Sequence, residues 1–439
     1  MVFRRTMSET DLTYLTLGLT HDVNVSMVFL LELDGELGPN EIRDELVRLA
    51  GTVPRFRQRV AHRSPWAENW SAPGPVRIDD HLTEVSVGED GLGAVLPRLP
   101  DLLDRPFDDG APPWQALYFR DAPDRNSVLV LRLHHSMGDG MTYLSALQQA
   151  FGGLGADRFS AVEEPRRPGH GRRALAGRIR ARAAAAARAA AGTLTRRGRA
   201  GLVNELRVWS PSPPPGRVGH TRSGQRVAMW TIPAEVWARA ARELGGRRND
   251  LFLAVTTFAE SEYRGWPDGP AVTIMPINLR PGPDSDIEQD GAISIASGVV
   301  VLDRDHVRDG RLAHIGDVAR TAREAALRST YRPVVPDLMQ LLPTPARRRL
   351  NLRLFSRSDL VASNVGGWAR LRVGQAAVRA FGAVSPAVGC PVAFTLTTYG
   401  DDVTLVSTVD PGIIPDPGAL EAAVDRALAR FVPEAVRRG

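Results

Sequence analysis

Lysine is missing from all 439 residues, so the 55 basic residues are all arginine. That absence removes lysine as a nucleophile, a Schiff-base former or a phosphate ligand, and every P-loop reading fails with it. Set beside abundant alanine, glycine and proline, the bias reads as genomic base composition rather than chosen chemistry, and no nucleic-acid partner is expected. Cysteine is almost as scarce. The single Cys390 cannot close an intramolecular disulfide, and no Cys/His spacing suits zinc, so no metal site is expected. Long apolar runs are also lacking. Nothing approaches a membrane span, and no N-terminal stretch has the apolar core of a signal peptide. These readings predict a cytoplasmic protein with a full core and two or three domains.

What is present centres on one stretch, Ser127-Val-Leu-Val-Leu-Arg-Leu-His134-His135-Ser-Met-Gly138-Asp139-Gly140. An apolar run of strand type ends in two histidines. A small-residue turn follows, and a helical pattern resumes from Met141 through Phe151. Strand, turn and helix in that order hold reactive side chains still at the end of a sheet. A histidine there can act as a general base, because its unperturbed pKa of about 6.5 lies near neutrality. A lone strand-end histidine is more often a hydrogen-bonded structural residue. Two in tandem, followed by Asp-Gly, favour catalysis.

The rest of the chain divides around a change in composition. Val25 to Leu33 alternates like a strand, and Asn40 is placed to cap a helix carrying Ile42, Leu46 and Leu49. Val53 to Arg59 reads as extended and basic, with a short strand near Val76. Ala116 to Arg120 and Ser127 to Leu133 read as paired strands. Residues 162–215 lose alternation and become rich in Arg, Ala and Pro, with no acid between Arg166 and Arg199. They read as a connector with a basic helix, either a solvated linker or a peripheral contact with anionic lipid. Beyond it come a strand (Arg226 to Ile232), a helix ending near Gly245-Gly246 and a largely apolar helix from Asp250 to Tyr263 that Asn249 is placed to cap. Strands follow at Val272 to Pro276, Ile293 to Leu302 and Leu360 to Asn364, with an amphipathic helix at Leu312 to Arg328. Val392 to Tyr399 and Val403 to Val409 flank the turn Gly400-Asp401-Asp402, and Asp416-Pro417 opens a last helix. The expected domains are 1–161, the connector 162–215, and 216–439, two α/β halves.

Several of these segments, taken in order, resemble one family. His134-His135-Ser-Met-Gly138-Asp139-Gly140 is similar to the HHxxxDG motif of the acyltransferase superfamily that holds chloramphenicol acetyltransferase and condensation domains. Met7-Ser8-Glu9-Thr10-Asp11, Pro54-Arg55-Phe56-Arg57-Gln58-Arg59, Pro113-Trp114, Asn249-Asp250, Pro276-Ile277-Asn278-Leu279-Arg280 and Ser363-Asn364-Val365 resemble motifs of its wax ester synthase/diacylglycerol acyltransferase branch. Three positions depart from that pattern: Ala292 stands where the branch has asparagine, Gly366 where it has proline, and Pro113-Trp114 follows a second proline in place of a Pro-Leu-Trp run.

The resemblance implies two chloramphenicol-acetyltransferase-like α/β halves in a V with a tunnel between them. It implies acyl transfer from acyl-CoA, or an acyl carrier protein thioester, to an alcohol, acylglycerol or amine acceptor, with no bound cofactor. His135 would be the general base, without an acyl-enzyme, and His134 would orient the loop. Asp139 would be structural, pairing with an arginine; Arg57, Arg59 and Arg280 are the candidates. Gly138 and Gly140 would serve loop geometry and close approach of substrate. Trp114, Asn249, Asn278, Ser363 and Asn364 would line the substrate channel. The reading from another class is a non-catalytic binding or scaffold protein that kept the fold.

Overall fold

The computed structural model describes residues 25–152 and 224–434, apart from 65–66, 72, 89–92, 94, 104, 109, 279–294, 331–341, 343 and 369, together with residues 5–6, 14–15, 17, 187 and 437–438. The connector at 162–215 (but for Ala187), the Met7 to Asp11 motif, Arg280 and Ala292 therefore lie outside the described residues.

Strand β1 (Ser26–Leu33) is apolar on both faces. Met27, Phe29, Leu31 and Leu33 enter one core, while Val28 and Leu30 enter another. Helix α1 (Pro39–Thr52) lays Ile42, Leu46 and Leu49 on the first. It opens at Pro39 behind Gly38, not behind Asn40, because proline's fixed φ suits the first helical position. Proline also turns the next segment away from the expected extended form: Pro54–Arg57 is a 3-10 turn. No strand forms near Val76; the strand lies later, at β2 (Leu82–Ser86). Helix α2 (Val95–Leu103), β3 (Trp114–Arg120), β4 (Ser127–His134) and α3 (Gly140–Phe151) complete this half. Every residue of β4 is buried, since it pairs antiparallel with β1 (Ser26 opposite His134) on one side and with β3 on the other.

In the second half, β5 (Arg226–Pro233), α4 (Ala234–Glu243) and α5 (Arg248–Tyr263) lead to β6 (Ala271–Asn278) and β7 (Ile295–Leu302). Helices α6 (Arg304–Arg308), α7 (Leu312–Thr330) and α8 (Thr344–Phe355) precede β8 (Leu360–Trp368). Then come β9 (Arg372–Val373), β10 (Ala376–Val384), β11 (Val392–Tyr399), β12 (Asp402–Val409), α9 (Pro417–Phe431) and β13 (Arg437–Arg438). The β11–β12 hairpin turns through Gly400 at φ +56°, a backbone region open to glycine. Asp416 caps α9 by accepting the Ala419 N–H.

The strands form a six-stranded sheet, β9-β10-β1-β4-β3-β2, and a seven-stranded sheet, β7-β6-β8-β11-β12-β5-β13, beside a small antiparallel sheet of Arg5–Thr6, Ala67–Trp70 and Val60–Ser64. The fold is thus mixed α/β with two lobes, as expected. The division at 216 is not clean, however: β9 and β10 leave the second half and join the first half's sheet, β10 pairing antiparallel with β1. A core shared by Val28, Leu30 and Val130 with Val384 and Val406 fills the space between the lobes. No described helix is long and apolar enough to cross a membrane.

Candidate active site

His134 closes β4 and His135 opens the 3-10 turn His135–Met137. Their backbones are tied to neighbouring segments before any side chain is considered. The His134 N–H donates to the Pro113 carbonyl (3.0 Å) and the His135 N–H to the Val25 carbonyl (2.9 Å). The Tyr143 hydroxyl donates to the His134 carbonyl (2.7 Å) from α3. The Pro113-Trp114 segment therefore touches the histidines through its backbone. Trp114 itself is a core residue, fully buried, donating Nε1–H to the Phe56 carbonyl (2.9 Å) and stacked on His81. That corrects its expected place on the channel. His81 is structural, with Nδ1 on the Trp114 carbonyl (2.7 Å).

The two imidazoles have different chemistry. His134 Nδ1 accepts the Ser136 N–H (3.2 Å) and lies 2.8 Å from Ser136 Oγ. An acceptor at Nδ1 places the proton of the neutral ring on Nε2. Burial, then the charges of His135 and Arg132, push the His134 pKa down to about 3. So weak a base cannot activate Ser136, which is itself fully buried, and this pair is no nucleophilic dyad. The arrangement fits the loop-orienting role expected of His134.

His135 is half-buried, and its Nδ1 is buried without a well-formed hydrogen bond. Burial lowers its pKa, while its own carbonyl, the Asp139 carboxylate and the Gly138 carbonyl pull the other way. The ring is accordingly neutral near pH 7 and able to accept a proton. Tyr14 stacks face to face on it, with ring centroids 3.7 Å apart and planes 2° from parallel. Burial and the Asp139 carboxylate hold the Tyr14 phenol well above its usual range. Sequence reasoning stopped three residues short of Tyr14, at Asp11; an aromatic following that motif was the available signal.

Asp139 points into the loop and not at His135. Its Oδ1 accepts the Thr142 N–H (2.8 Å) and Thr142 Oγ–H (3.0 Å), capping α3. It is 1% exposed, whereas Arg57 and Arg59 are exposed. Arg59 donates to the Gly110 carbonyl, and neither arginine pairs with Asp139. Both are thereby removed as its partners; the 3-10 turn at Pro54 directs them outward. The glycines make room for protein rather than for substrate. A Cβ on Gly138 would lie 2.9 Å from Thr142 Cγ2, and one on Gly140 would lie 3.3 Å from Val365 Cγ1.

That last contact joins the histidine loop to the second lobe, where Val365 sits on β8. Strands β6 and β8 are parallel neighbours, so Asn278, Ser363 and Asn364 gather toward the same strand ends. Asp359 fixes their relative height by accepting the Val272 N–H (2.8 Å) while paired with Arg264 and Arg304. Asn364 Nδ2–H donates to Asn249 Oδ1 (3.2 Å). Asn249 is not the helix cap: α5 begins at Arg248, and the Asp250 carboxylate receives the Arg247 N–H (2.8 Å). The amide of Asn249 is thus free of capping. Asn278 and Asn364 are exposed, Ser363 and Asn249 half-buried.

The low pKa of His134 has a consequence for stability. Unfolded, the ring binds a proton below about pH 6.5, and folded it does so only near 3, so between those values the unfolded state holds more protons. Stability contributed by this residue is complete above pH 6.5 and falls by about 1.4 kcal/mol per pH unit on acidification toward 3. Chemical denaturation of wild type and His134→Gln across pH 4–7 should show the slope shrinking in the variant; equal slopes would exclude His134 as its source.

Comparison with known proteins places this geometry. Residues 310–431 match the family model for the WS/DGAT C-terminal domain. The chain is 26% identical over 130 residues to wax ester synthase/diacylglycerol acyltransferase 10 of Arabidopsis thaliana, a match covering 28% of this chain and 27% of that protein, about a quarter of the relative's length. Among solved structures, the wax ester synthase/diacylglycerol acyltransferase from Marinobacter aquaeolei VT8 superposes with a TM-score of 0.62 at 18% identity, covering 97% of this chain and 98% of that one. The first condensation domain of the CDA synthetase gives 0.66 at 15% identity over 98% and 95%. A starter condensation domain of rhizomide synthetase, solved with C8-CoA and Leu-SNAC, gives 0.63 at 14% identity over 98% and 94%. Residues 310–431 are therefore similar to the WS/DGAT C-terminal domain, on a chain whose described residues have the two-lobed fold of these wax ester synthase/diacylglycerol acyltransferase and condensation-domain structures.

Proposed function

We propose that the chain is an acyltransferase that moves an acyl group from an acyl-CoA thioester to the hydroxyl of an alcohol or acylglycerol, with His135 as general base. The observation that carries this reading is the neutral, Tyr14-stacked imidazole of His135 at the end of a rigid strand, beside the second lobe at Val365. His135 takes the proton of the acceptor hydroxyl as its oxygen attacks the thioester carbonyl. The same proton then leaves with the departing thiolate, so the base is regenerated. Ser136 does not compete as nucleophile, since it is buried against a weakly basic His134. The family-model match and the shared fold support the assignment. Acceptor-dependent release of free thiol from acyl-CoA, followed with a thiol reagent over a panel of alcohols, diacylglycerols and amines, tests it; thiol release that never depends on an acceptor would overturn it.

One observation favours a second reading, transfer to a hydroxyl or amine of a specialised metabolite, from CoA or a carrier protein. Gly366 has φ +83°, and its N–H donates to Asn364 Oδ1 (3.0 Å). Proline could adopt neither, since its φ is fixed near −65° and it has no N–H. The backbone beside Asn364 and Asn249, residues expected on the substrate channel, is therefore shaped differently from one carrying proline there. Release of thiol only with an acylated carrier protein or a polar acceptor in the same panel selects this reading.

Tyr14 is expected to act through His135. Tyr14→Leu removes the stacked ring, worth about 1 kcal/mol when the imidazole becomes charged, so kcat should fall about five- to tenfold. Admitting water would also relieve the burial that lowers the His135 pKa, moving the acid limb of the rate profile to higher pH. Tyr14→Phe should keep both properties. Steady-state kinetics of the three proteins across pH 5–8 decide this, and an unshifted limb in the leucine variant would leave Tyr14 as simple packing.

A further inference from the structure

Helix α8 carries arginines at 347, 348, 349 and 353 with no acidic residue between Thr344 and Phe355, and Arg357 follows one turn later. Arg349 and Arg353 are exposed and four residues apart, hence on one helix face. Neither has an ion-pair partner among the described residues. Arg353 lies close enough to Arg357 for its charge, after burial, to depress the Arg357 guanidinium. Arg357 is half-buried, and two of its nitrogens, Nε and Nη1, are buried without acceptors among the described residues. The nearest acid along the chain, Asp359, is committed to Arg264, Arg304 and the Val272 N–H. Three like charges thus lie along this stretch with no counter-charge among the described residues, an arrangement that disfavours itself until an anion arrives.

The helix also lies beside the chemistry. Leu352 packs on the small cluster of Leu17, Val25 and Val388, and Tyr14 packs on the same cluster. Tyr14 stacks on His135, and the Val25 carbonyl accepts the His135 N–H. The helix that carries the arginines thus also carries a residue packed on the cluster that Tyr14 touches, and a flexible pantetheine arm separates the phosphates of a thioester donor from its sulfur.

We propose that Arg349, Arg353 and Arg357 form a phosphate-docking stripe for the nucleotide end of the acyl-CoA donor. This rests on the thioester reading above and deepens it: the stripe selects a donor bearing phosphoryl groups, which guanidinium groups recognise through paired, charge-assisted hydrogen bonds. It supplies donor affinity and no step of the chemistry.

The test uses the full chain with Arg349→Glu and Arg353→Glu together, both exposed positions whose change leaves the fold intact by thermal unfolding. Donors are an acyl-CoA, the matching acyl-3′-dephospho-CoA and the matching acyl-N-acetylcysteamine thioester, which has no phosphate. The double variant should raise KM for acyl-CoA about tenfold or more, raise it less for the dephospho form, and leave KM for the phosphate-free thioester and kcat unchanged. An equal change for all three donors, or none, overturns the stripe. Calorimetric titration with CoA itself separates this from failure of the thioester reading. If wild type transfers no acyl group yet binds CoA, and the variant does not, the stripe stands without the reaction. If wild type does not bind CoA, or the variant binds it equally well, the stripe falls. Loss of binding to phosphatidylglycerol vesicles with CoA binding intact would assign the arginines to a lipid surface and also overturn it.

Discussion

Replacing His135 by alanine should reduce acceptor-dependent thiol release by about 10²–10⁴-fold, the range a positioned general base contributes. The reason is geometric as much as electronic. The His135 backbone is pinned by the Val25 carbonyl and its ring is covered by Tyr14. His134 cannot take over as base, since its pKa is about 3. Binding of donor and acceptor should survive, so kcat falls far more than KM rises. The variant should also stay folded, because the side chain removed caps no helix. Because burial leads the effects that lower the His135 pKa, the wild-type rate should hold below pH 6.5 and decline only as pH falls through that lowered value. An alanine variant with unchanged product yield would remove histidine catalysis, whereas a wild-type chain that forms no product with any donor or acceptor would leave the binding or scaffold reading in its place.

Asp139→Ala should act on stability first. The Asp139 carboxylate caps α3 and satisfies two buried donors, the Thr142 N–H and Oγ–H. Losing an N-cap costs about 1 kcal/mol, and leaving buried donors unmet costs about 1–3 kcal/mol more, so unfolding should become easier by roughly 2–4 kcal/mol. Activity should fall with it, because α3 also holds the His134 carbonyl through Tyr143. Asp139→Asn keeps an oxygen in the capping position and should recover most of the stability. It also removes the charge that raises the His135 pKa, so its acid limb should lie at lower pH than that of wild type. Denaturant melts of the three proteins check the first effect and pH–rate profiles the second; equal destabilisation by alanine and asparagine would point to the charge rather than the cap.

The parts of the site written in local sequence were legible beforehand. The strand ending at His134, the helix after Gly140, the Gly400 hairpin and the Asp416 cap all depend on residues within a turn of one another. Asn249 and Asn364 were singled out by motif and do meet, although the expected capping by Asn249 is performed by Asp250, whose carboxylate reaches the Arg247 N–H. What could not be read depends on contacts between distant segments. The passage of β10 into the first sheet pairs Val384 with Val28, a register no local pattern announces. Tyr14 gains its role from burial against His135, and Trp114 loses its channel position by hydrogen bonding to Phe56. Arg57 and Arg59 looked like partners for a buried carboxylate because they are basic; Pro54 turns their segment so that both face solvent.

Direct attack by an activated acceptor, with no acyl group passing through the protein, is tested most directly by intact mass measured on enzyme mixed with excess acyl-CoA in the absence of acceptor. The expected result is an unmodified chain and no free thiol until the acceptor is added, when thiol and acylated product appear together. An acyl adduct on the chain, formed with a burst of thiol before any acceptor is present, would contradict it.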